Sequence, residues 1–172
     1  EKAANAAYQR GLLTGDLKQQ AACYARAADY LQRANRPEES LERIEQATEF
    51  DPLNDDYAGL LVDRYNASGN IEKLVGFLTK RGDRLTDRNK RIAIRREAAT
   101  LTANRLQDKE LAREMWLKLL EDGDDREALE RLIDDAVERE DHTEAATLLR
   151  RLGQNTVDKA EKARVALREA EL

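Results

Sequence analysis

The chain has 172 residues and a formal net charge of −5; charged residues make up 38% of it and aromatic residues only 5%. This composition is typical of a soluble, almost entirely helical protein. The longest apolar run, at 57–62, is far shorter than the roughly 18–20 residues of a membrane span, so we expect no membrane span and a cytoplasmic location. A single cysteine, Cys23, excludes an internal disulfide and a cysteine-based zinc site.

Apolar residues at helical spacing, separated by turn sequences, predict a series of helices along the whole chain. Ile71, Leu74, Val75 and Leu78, for example, stand at i, i+3, i+4 and i+7. Pro37 favours a helix start, and the stretches 51–54, 68–70 and 122–124 are turn sequences. In chain order the predicted helices cover 2–14, 17–34, 38–50, 55–67, 71–85, 88–105, 109–121, 125–139, 142–152 and 157–171.

An internal repeat accompanies these helices. Glycines recur 71 residues apart, and an aspartate follows each glycine by five residues; the positions are Gly11, Gly82 and Gly153, with Asp16, Asp87 and Asp158. We predict that each glycine lies just beyond a helix C-terminus in left-handed backbone, and that each aspartate caps the next helix. Each 71-residue unit then holds two helical hairpins, whose wide apolar stripes need a neighbour on both sides.

The hairpins resemble tetratricopeptide repeats (TPRs), which are 34-residue helix–turn–helix units. The best match covers 21–54, with Tyr24, Ala27, Ala28, Leu31, Ser40, Ile44, Ala47 and Pro52 at the pattern's positions. Turns at Asn35, Gly69, Gln107 and Asp141 follow one another at steps of 34, 38 and 34 residues. The 38-residue step and a missing second proline depart from the pattern and leave the related half-a-TPR repeats open.

The resemblance implies an all-α fold, a right-handed α-solenoid of helix–turn–helix hairpins with nine to ten helices. A single solenoid over 1–172 would contain hairpins at 17–50, 55–85, 88–121 and 125–152, with partial units at 1–14 and 157–172. The layout is similar to tandem-repeat scaffold proteins of bacteria. We expect this chain to be a fragment of a longer repeat array, able to form homo-oligomers through its end faces.

By the same resemblance, the protein is expected to be a non-catalytic scaffold that holds a peptide or helix of another protein in a concave groove. The first helix of each hairpin lines that groove, which predicts partner contacts at Asp29, Arg33, Asp63, Asn66, Arg96, Asn104, Glu127, Glu130, Asp134 and Glu138, with Asp56 beside them. The C-terminal half of this set is acidic, so we expect a basic or mixed-charge partner segment. The clamp by which some TPR domains hold a carboxyl terminus is absent, since Ala25 and Asp29 stand at its first positions.

Charge is segregated along the chain. Residues 80–96 hold eight basic residues against two acidic ones, and residues 121–144 hold twelve acidic against three basic. One interpretation is a pair of solvated helix faces, and another is recognition of a protein partner. A third is an RNA-binding helical-repeat protein that uses the 80–96 stretch, although nucleic acid is not favoured because the chain is acidic and no aromatics interleave the bases. A regulatory subunit of an enzyme is a further alternative.

Few residues could carry chemistry. His142 is the only histidine and no G-x-S-x-G motif accompanies it, so we interpret it as an exposed residue in a first helical turn. Cys23 is interpreted as a packing residue. The acidic clusters at 51–56 and 121–125 lack the alternation of a calcium loop and are interpreted as helix caps. We therefore expect no enzyme activity, no metal and no cofactor.

Overall fold

The computed structural model describes residues 1–172 and contains helices and no strand. Ten α-helices follow one another, with one π-helical turn (Thr102–Leu106) after the sixth. They are α1 (Lys2–Leu13), α2 (Leu17–Arg33), α3 (Pro37–Phe50), α4 (Asp55–Ser68), α5 (Ile71–Arg84), α6 (Arg88–Leu101), α7 (Lys109–Glu121), α8 (Arg126–Glu138), α9 (His142–Asn155) and α10 (Lys159–Ala170). The predicted all-α fold class and all ten predicted helices are confirmed.

The chain divides into two compact units, Glu1–Phe77 and Leu78–Leu172. In the first unit α1 packs on α2, α2 on α3 and α3 on α4. In the second, α6 packs on α7, α7 on α8, α8 on α9 and α9 on α10. These helices thus find their partners among their sequence neighbours, which is the packing of a helical-repeat protein. The expected single solenoid over 1–172 stays a prediction.

Small residues bring the helices of the first unit close together. Ala21, Ala27 and Ala47 are fully buried, so the α2 and α3 backbones can approach closely. The buried ring of Tyr24 lies between two other aromatic rings, with its centroid 5.4 Å from that of Tyr8 and 5.5 Å from that of Phe50. Such tilted ring pairs add stability beyond the area that they bury.

Larger side chains form the core of the second unit. Trp116 is only 3% exposed and packs in one cluster with fully buried leucines and isoleucine from the following helix, Leu129, Leu132 and Ile133. Leu149 on α9 belongs to the same cluster. Because α7, α8 and α9 all contribute, this core holds the successive hairpins of the unit together.

The repeated aspartates cap helices as predicted. The Asp16 side chain accepts a hydrogen bond from the Lys18 backbone N–H (2.8 Å) at the start of α2. Asp87 and Asp158 do the same at α6 and α10, with donor distances of 3.0 and 2.8 Å. Each cap satisfies an amide that has no carbonyl partner within its helix.

The prediction for the repeated glycines was wrong. Gly11, Gly82 and Gly153 lie inside the last turns of α1, α5 and α9, and none has a positive φ. Their shared property is that each faces the next helix, and the approach is close at Gly11, where a Cβ atom would lie 3.0 Å from Cε1 of Tyr24. At Gly82 and Gly153 the closest contacts of such an atom would be 3.4 and 3.5 Å. The repeated glycine therefore marks where a helix approaches the next one.

Left-handed residues instead occur at the turns inside the hairpins. Asn35, Gly69 and Gln107 have φ values of 57°, 71° and 56°, which confirms the first three predicted turns. The fourth left-handed residue is Glu140 (φ 59°), one position before the predicted Asp141. Asp141 itself caps α9, accepting from the Glu144 N–H at 3.0 Å. A left-handed residue at this point lets the chain leave one helix and enter the next at once.

Candidate partner-binding site

Four predicted contact residues lie in the first unit. Asp29 and Arg33 stand one turn apart on α2 and form an ion pair of 2.9 Å. Asp63 and Asn66 are exposed on α4, and their side chains form no hydrogen bond or ion pair within the chain. These two side chains are therefore available to a partner, whereas Asp29 and Arg33 already bind each other.

Three of the six predicted residues in the second unit line one cleft of about 290 Å³: Asn104, Asp134 and Glu138. The π-helical turn and α7 form one wall of this cleft, and α8 forms the other. The apolar lining consists of Ala103, Ala112, Trp116 and Leu132. The remaining lining side chains are charged: Lys109, Arg113, Arg131 and Asp135.

The π-helical turn forms part of one wall of the cleft. Thr102, at its start, is fully buried and its hydroxyl donates to the Ala98 carbonyl at 2.9 Å. The turn ends at the left-handed Gln107. Ala103 and Asn104 lie on this turn and line the cleft. Such turns interrupt α-helices and are frequent at functional sites.

The acidic residues predicted on α8 all have cationic partners within the chain. Glu138 accepts from Lys109 at 2.7 Å, and this hydrogen bond raises the pKa of the Lys109 ammonium above its ordinary value. Asp134 pairs with Arg168 of α10 at 2.7 Å. The other two pairs are Glu130–Arg126 (2.8 Å) and Glu127–Arg131 (3.9 Å). These residues therefore present less negative charge at the surface than the sequence suggests.

A more buried ion-pair network beside the cleft connects α7, α8 and α9. Arg113 donates to Glu144 at 2.9 Å and lies 3.1 Å from Asp135, although its Nε is not aligned for a hydrogen bond to that carboxylate. Arg139 binds both acids as well, reaching Asp135 at 3.0 Å. The Arg113, Asp135 and Glu144 side chains are only 24–28% exposed, whereas those of the Lys109–Glu138 pair are 63–75% exposed. Solvent therefore screens this network less than it screens that pair.

Arg96, the remaining predicted contact on α6, binds the loop that precedes α8. Its Nε donates to Asp125 at 3.0 Å. The Asp125 carboxylate is buried and also caps α8 through the Ala128 N–H at 3.0 Å. One carboxylate therefore serves both the helix start and the arginine of the preceding hairpin.

Three further arginines of the basic stretch converge on Asp122, at the end of α7. Arg91 and Arg95 each bind one oxygen of its carboxylate at 2.7 Å. Arg88 donates to the Asp122 backbone carbonyl at 2.5 Å. The basic and acidic stretches therefore pair with each other, and these arginines do not form a free cationic patch.

The other candidate residues have structural surroundings. Cys23 is a partly buried free thiol that packs against Gly11. His142 is exposed at the first position of α9. In the cluster at 51–56, Asn54 caps α4 and also donates to Asp51 at 3.2 Å. The capping interpretation of the acidic clusters is thus confirmed at Asp125, while Asn54 is the capping residue of the first cluster.

Sequence reasoning missed most of the cleft. Lys109, Arg113, Trp116, Arg131 and Asp135 line it but were not predicted as contact residues. Trp116, the only tryptophan, stands among apolar residues at helical spacing, and this pattern gives no sign that it borders a cleft. A tryptophan one helical turn after Arg113 on the same helix is the one signal that could have indicated it.

Helical pairs that pack on their sequence neighbours, with left-handed turns inside the hairpins, define a helical-repeat fold similar to that of tetratricopeptide repeats. A solved structure with a similar fold is that of the Pseudomonas aeruginosa protein PilF, a TPR protein. The two chains are 15% identical with a TM-score of 0.52, over 99% of this chain and 84% of that one. No protein-family model and no curated protein matches the sequence. None of the ten helices combines the length and apolarity needed to cross a bilayer.

Proposed function

We propose that this protein is a non-catalytic interaction module that binds a peptide or helix of another protein. The observation that carries the proposal is the cleft between α7 and α8, which combines an apolar floor with a charged rim. Helical-repeat proteins commonly use such surfaces for recognition. For the first unit we propose separate partner contacts at Asp29, Arg33, Asp63 and Asn66.

The size and lining of the cleft favour a segment over a small cofactor. A volume of about 290 Å³ admits a few side chains. Three cationic and three anionic side chains line it, which suits a mixed-charge segment better than a purely basic one. The apolar floor around Trp116 and Leu132 would hold one or two apolar side chains of that segment.

Nucleic-acid binding is the weaker alternative. Phosphate recognition needs cations that can exchange their counterions for phosphates. Arg91, Arg95 and Arg96 instead bind Asp122 and Asp125, so binding RNA would require breaking these contacts. The other alternative is a regulatory subunit of an enzyme, which would bind its partner through the same cleft. The identity of the partner would distinguish a regulatory subunit from a scaffold protein.

The test is affinity capture from native lysate with a variant that fills the cleft. Asn104→Tyr places a ring into the cleft from an exposed position, so folding should be retained. Glu97→Tyr, at an exposed position outside the cleft lining, is the matched control. We expect Asn104→Tyr to lose the proteins that the wild type and the control retain, as measured by quantitative mass spectrometry. Equal capture by all three chains would contradict the proposal.

A further inference from the structure

The charged side chains that line the cleft differ in what they already bind. Asp134, Asp135 and Glu138 each accept from a cation, at 2.7, 3.0 and 2.7 Å respectively; the donors are Arg168, Arg139 and Lys109. Lys109 is thereby engaged, and Arg113 donates to Glu144 at 2.9 Å. The acids and two of the three cations of the lining are therefore neutralised inside the protein.

Two polar side chains of the lining, Arg131 and Asn104, are not engaged in this way. The nearest acid to Arg131 is Glu127, at 3.9 Å, which is beyond hydrogen-bonding distance. The side chain of Asn104 forms no hydrogen bond within the chain. Both residues line the cleft and both are exposed. The guanidinium offers up to five N–H donors and the amide offers two, so the free hydrogen-bonding capacity of the cleft consists mainly of donors.

We propose that the cleft binds an acidic segment of a partner protein, with a glutamate or aspartate side chain bound by Arg131 and Asn104. A neighbouring apolar side chain of that segment would lie over Trp116 and Leu132. This inference rests on the proposed function and names the chemistry of the partner. Arginine binds carboxylates through two parallel hydrogen bonds, which also fixes the orientation of the bound group.

A basic segment fits the same surface less well. Its cation would have to displace Arg168 from Asp134 or Lys109 from Glu138. Such an exchange replaces one exposed ion pair with another and gives little net affinity. A carboxylate at Arg131 displaces only the long contact to Glu127, so the gain is larger.

The probe is a set of short peptides in a glycine–serine frame that carry one leucine. In the first peptide two glutamates flank the leucine, and both ends of the peptide are blocked. In the second peptide lysines replace the two glutamates, and in the third peptide glutamines replace them. A fourth peptide has glutamines and a free terminal carboxylate. Binding is read from the fluorescence of Trp116, which is the only tryptophan of the chain and borders the cleft.

Three variants of the full chain test the assignment. Arg131→Gln removes the proposed carboxylate donor, and Arg105→Gln removes an exposed arginine of the π-helical turn that does not line the cleft. Glu127→Gln removes the acid that competes for Arg131. We expect the glutamate peptide to bind at least about tenfold more weakly to Arg131→Gln than to the wild type, because a charge-assisted pair is lost. Arg105→Gln should bind it as the wild type does, and Glu127→Gln should bind it more tightly.

Three outcomes would overturn the inference. They are preferred binding of the lysine peptide, equal binding of the glutamate peptide to Arg131→Gln and wild type, and no binding of the glutamate peptide at all. Stronger binding of the fourth peptide would assign the site to a chain terminus and would reject the side-chain proposal. If any of these occurs while Asn104→Tyr still abolishes capture from lysate, only the acidic-segment inference fails. Unchanged capture by Asn104→Tyr would reject the proposed function itself.

Discussion

Arg95 and Asp122, which are 27 residues apart, form an ion pair of 2.7 Å whose side chains are only 14% and 8% exposed. The same carboxylate accepts from Arg91 through its other oxygen. Asp122 follows the last residue of α7, so this contact ties the loop before α8 to α6. The pairing of the basic and acidic stretches is therefore a structural contact between successive hairpins.

Removing this carboxylate should destabilise the second unit strongly. We expect Asp122→Asn to lower the free energy of unfolding by about 3 kcal/mol, because the largely buried Arg91 loses its counterion and Arg95 loses one of its two. The check is urea denaturation followed by circular dichroism. Asp134→Asn is the matched control, since the Asp134–Arg168 pair is exposed and should contribute less than about 1 kcal/mol. Equal effects of the two substitutions would argue against a structural role for Asp122.

The repeated glycines should respond to alanine with opposite signs. At Gly11 the added methyl group would lie 3.0 Å from the Tyr24 ring and 3.1 Å from Cβ of Cys23, so Gly11→Ala should destabilise by about 1–3 kcal/mol. At Gly153 the nearest atom, on Val165, would be 3.5 Å away. Gly153→Ala should therefore stabilise by up to about 1 kcal/mol through helix propensity. Melting temperatures of the two variants measure both effects, and a loss of stability in both would contradict the distinction.

The left-handed turns offer a second pair of opposed changes. Gln107 and Glu140 are non-glycine residues with φ near +56° and +59°. Replacing either with glycine should stabilise by about 0.5–1 kcal/mol, because its Cβ is strained there. Gly69→Ala should lower the free energy of unfolding by about 1 kcal/mol. No atom lies near the added Cβ, so this loss would come from the left-handed backbone conformation alone. Equilibrium denaturation of the three single variants would show whether backbone conformation decides the sign.

The acid dependence of stability should include a contribution from Asp83. The hydrogen bond from Lys118, and a second from Arg95, hold the pKa of the Asp83 carboxyl below its ordinary value of 3.8. Because the folded state favours the ionised form, this contribution is present above pH 3.8 and is lost as the pH falls through the lower folded-state pKa. Asp83→Asn should unfold with a shallower pH dependence in this range. Identical urea midpoints of the two chains at every acidic pH would contradict it.

The predicted helices depended on signals that act over a few residues. Asp16, Asp87 and Asp158 cap helices because a short carboxylate reaches amides two or three positions away, wherever the rest of the chain lies. Pro37 begins α3 for a similarly local reason. The repeat at 71 residues marked Gly11, but it could not distinguish a turn from a close helix contact, because both favour glycine.

The sequence by itself thus determined the order of ten helices, their caps and the repetition of hairpins, since each depends on neighbours within a turn or two. The cleft, by contrast, exists only because side chains from the π-helical turn, α7 and α8 meet, and these are drawn from positions as far apart as Ala103 and Glu138. The charge that this surface presents was also decided by tertiary contacts: Asp134 is paired by Arg168, 34 residues further along, whereas Arg131 is left almost free. In the sequence, Asp134 and Arg131 are simply two charged residues. Only their surroundings in the folded protein show that the first is neutralised and that the second can bind a partner.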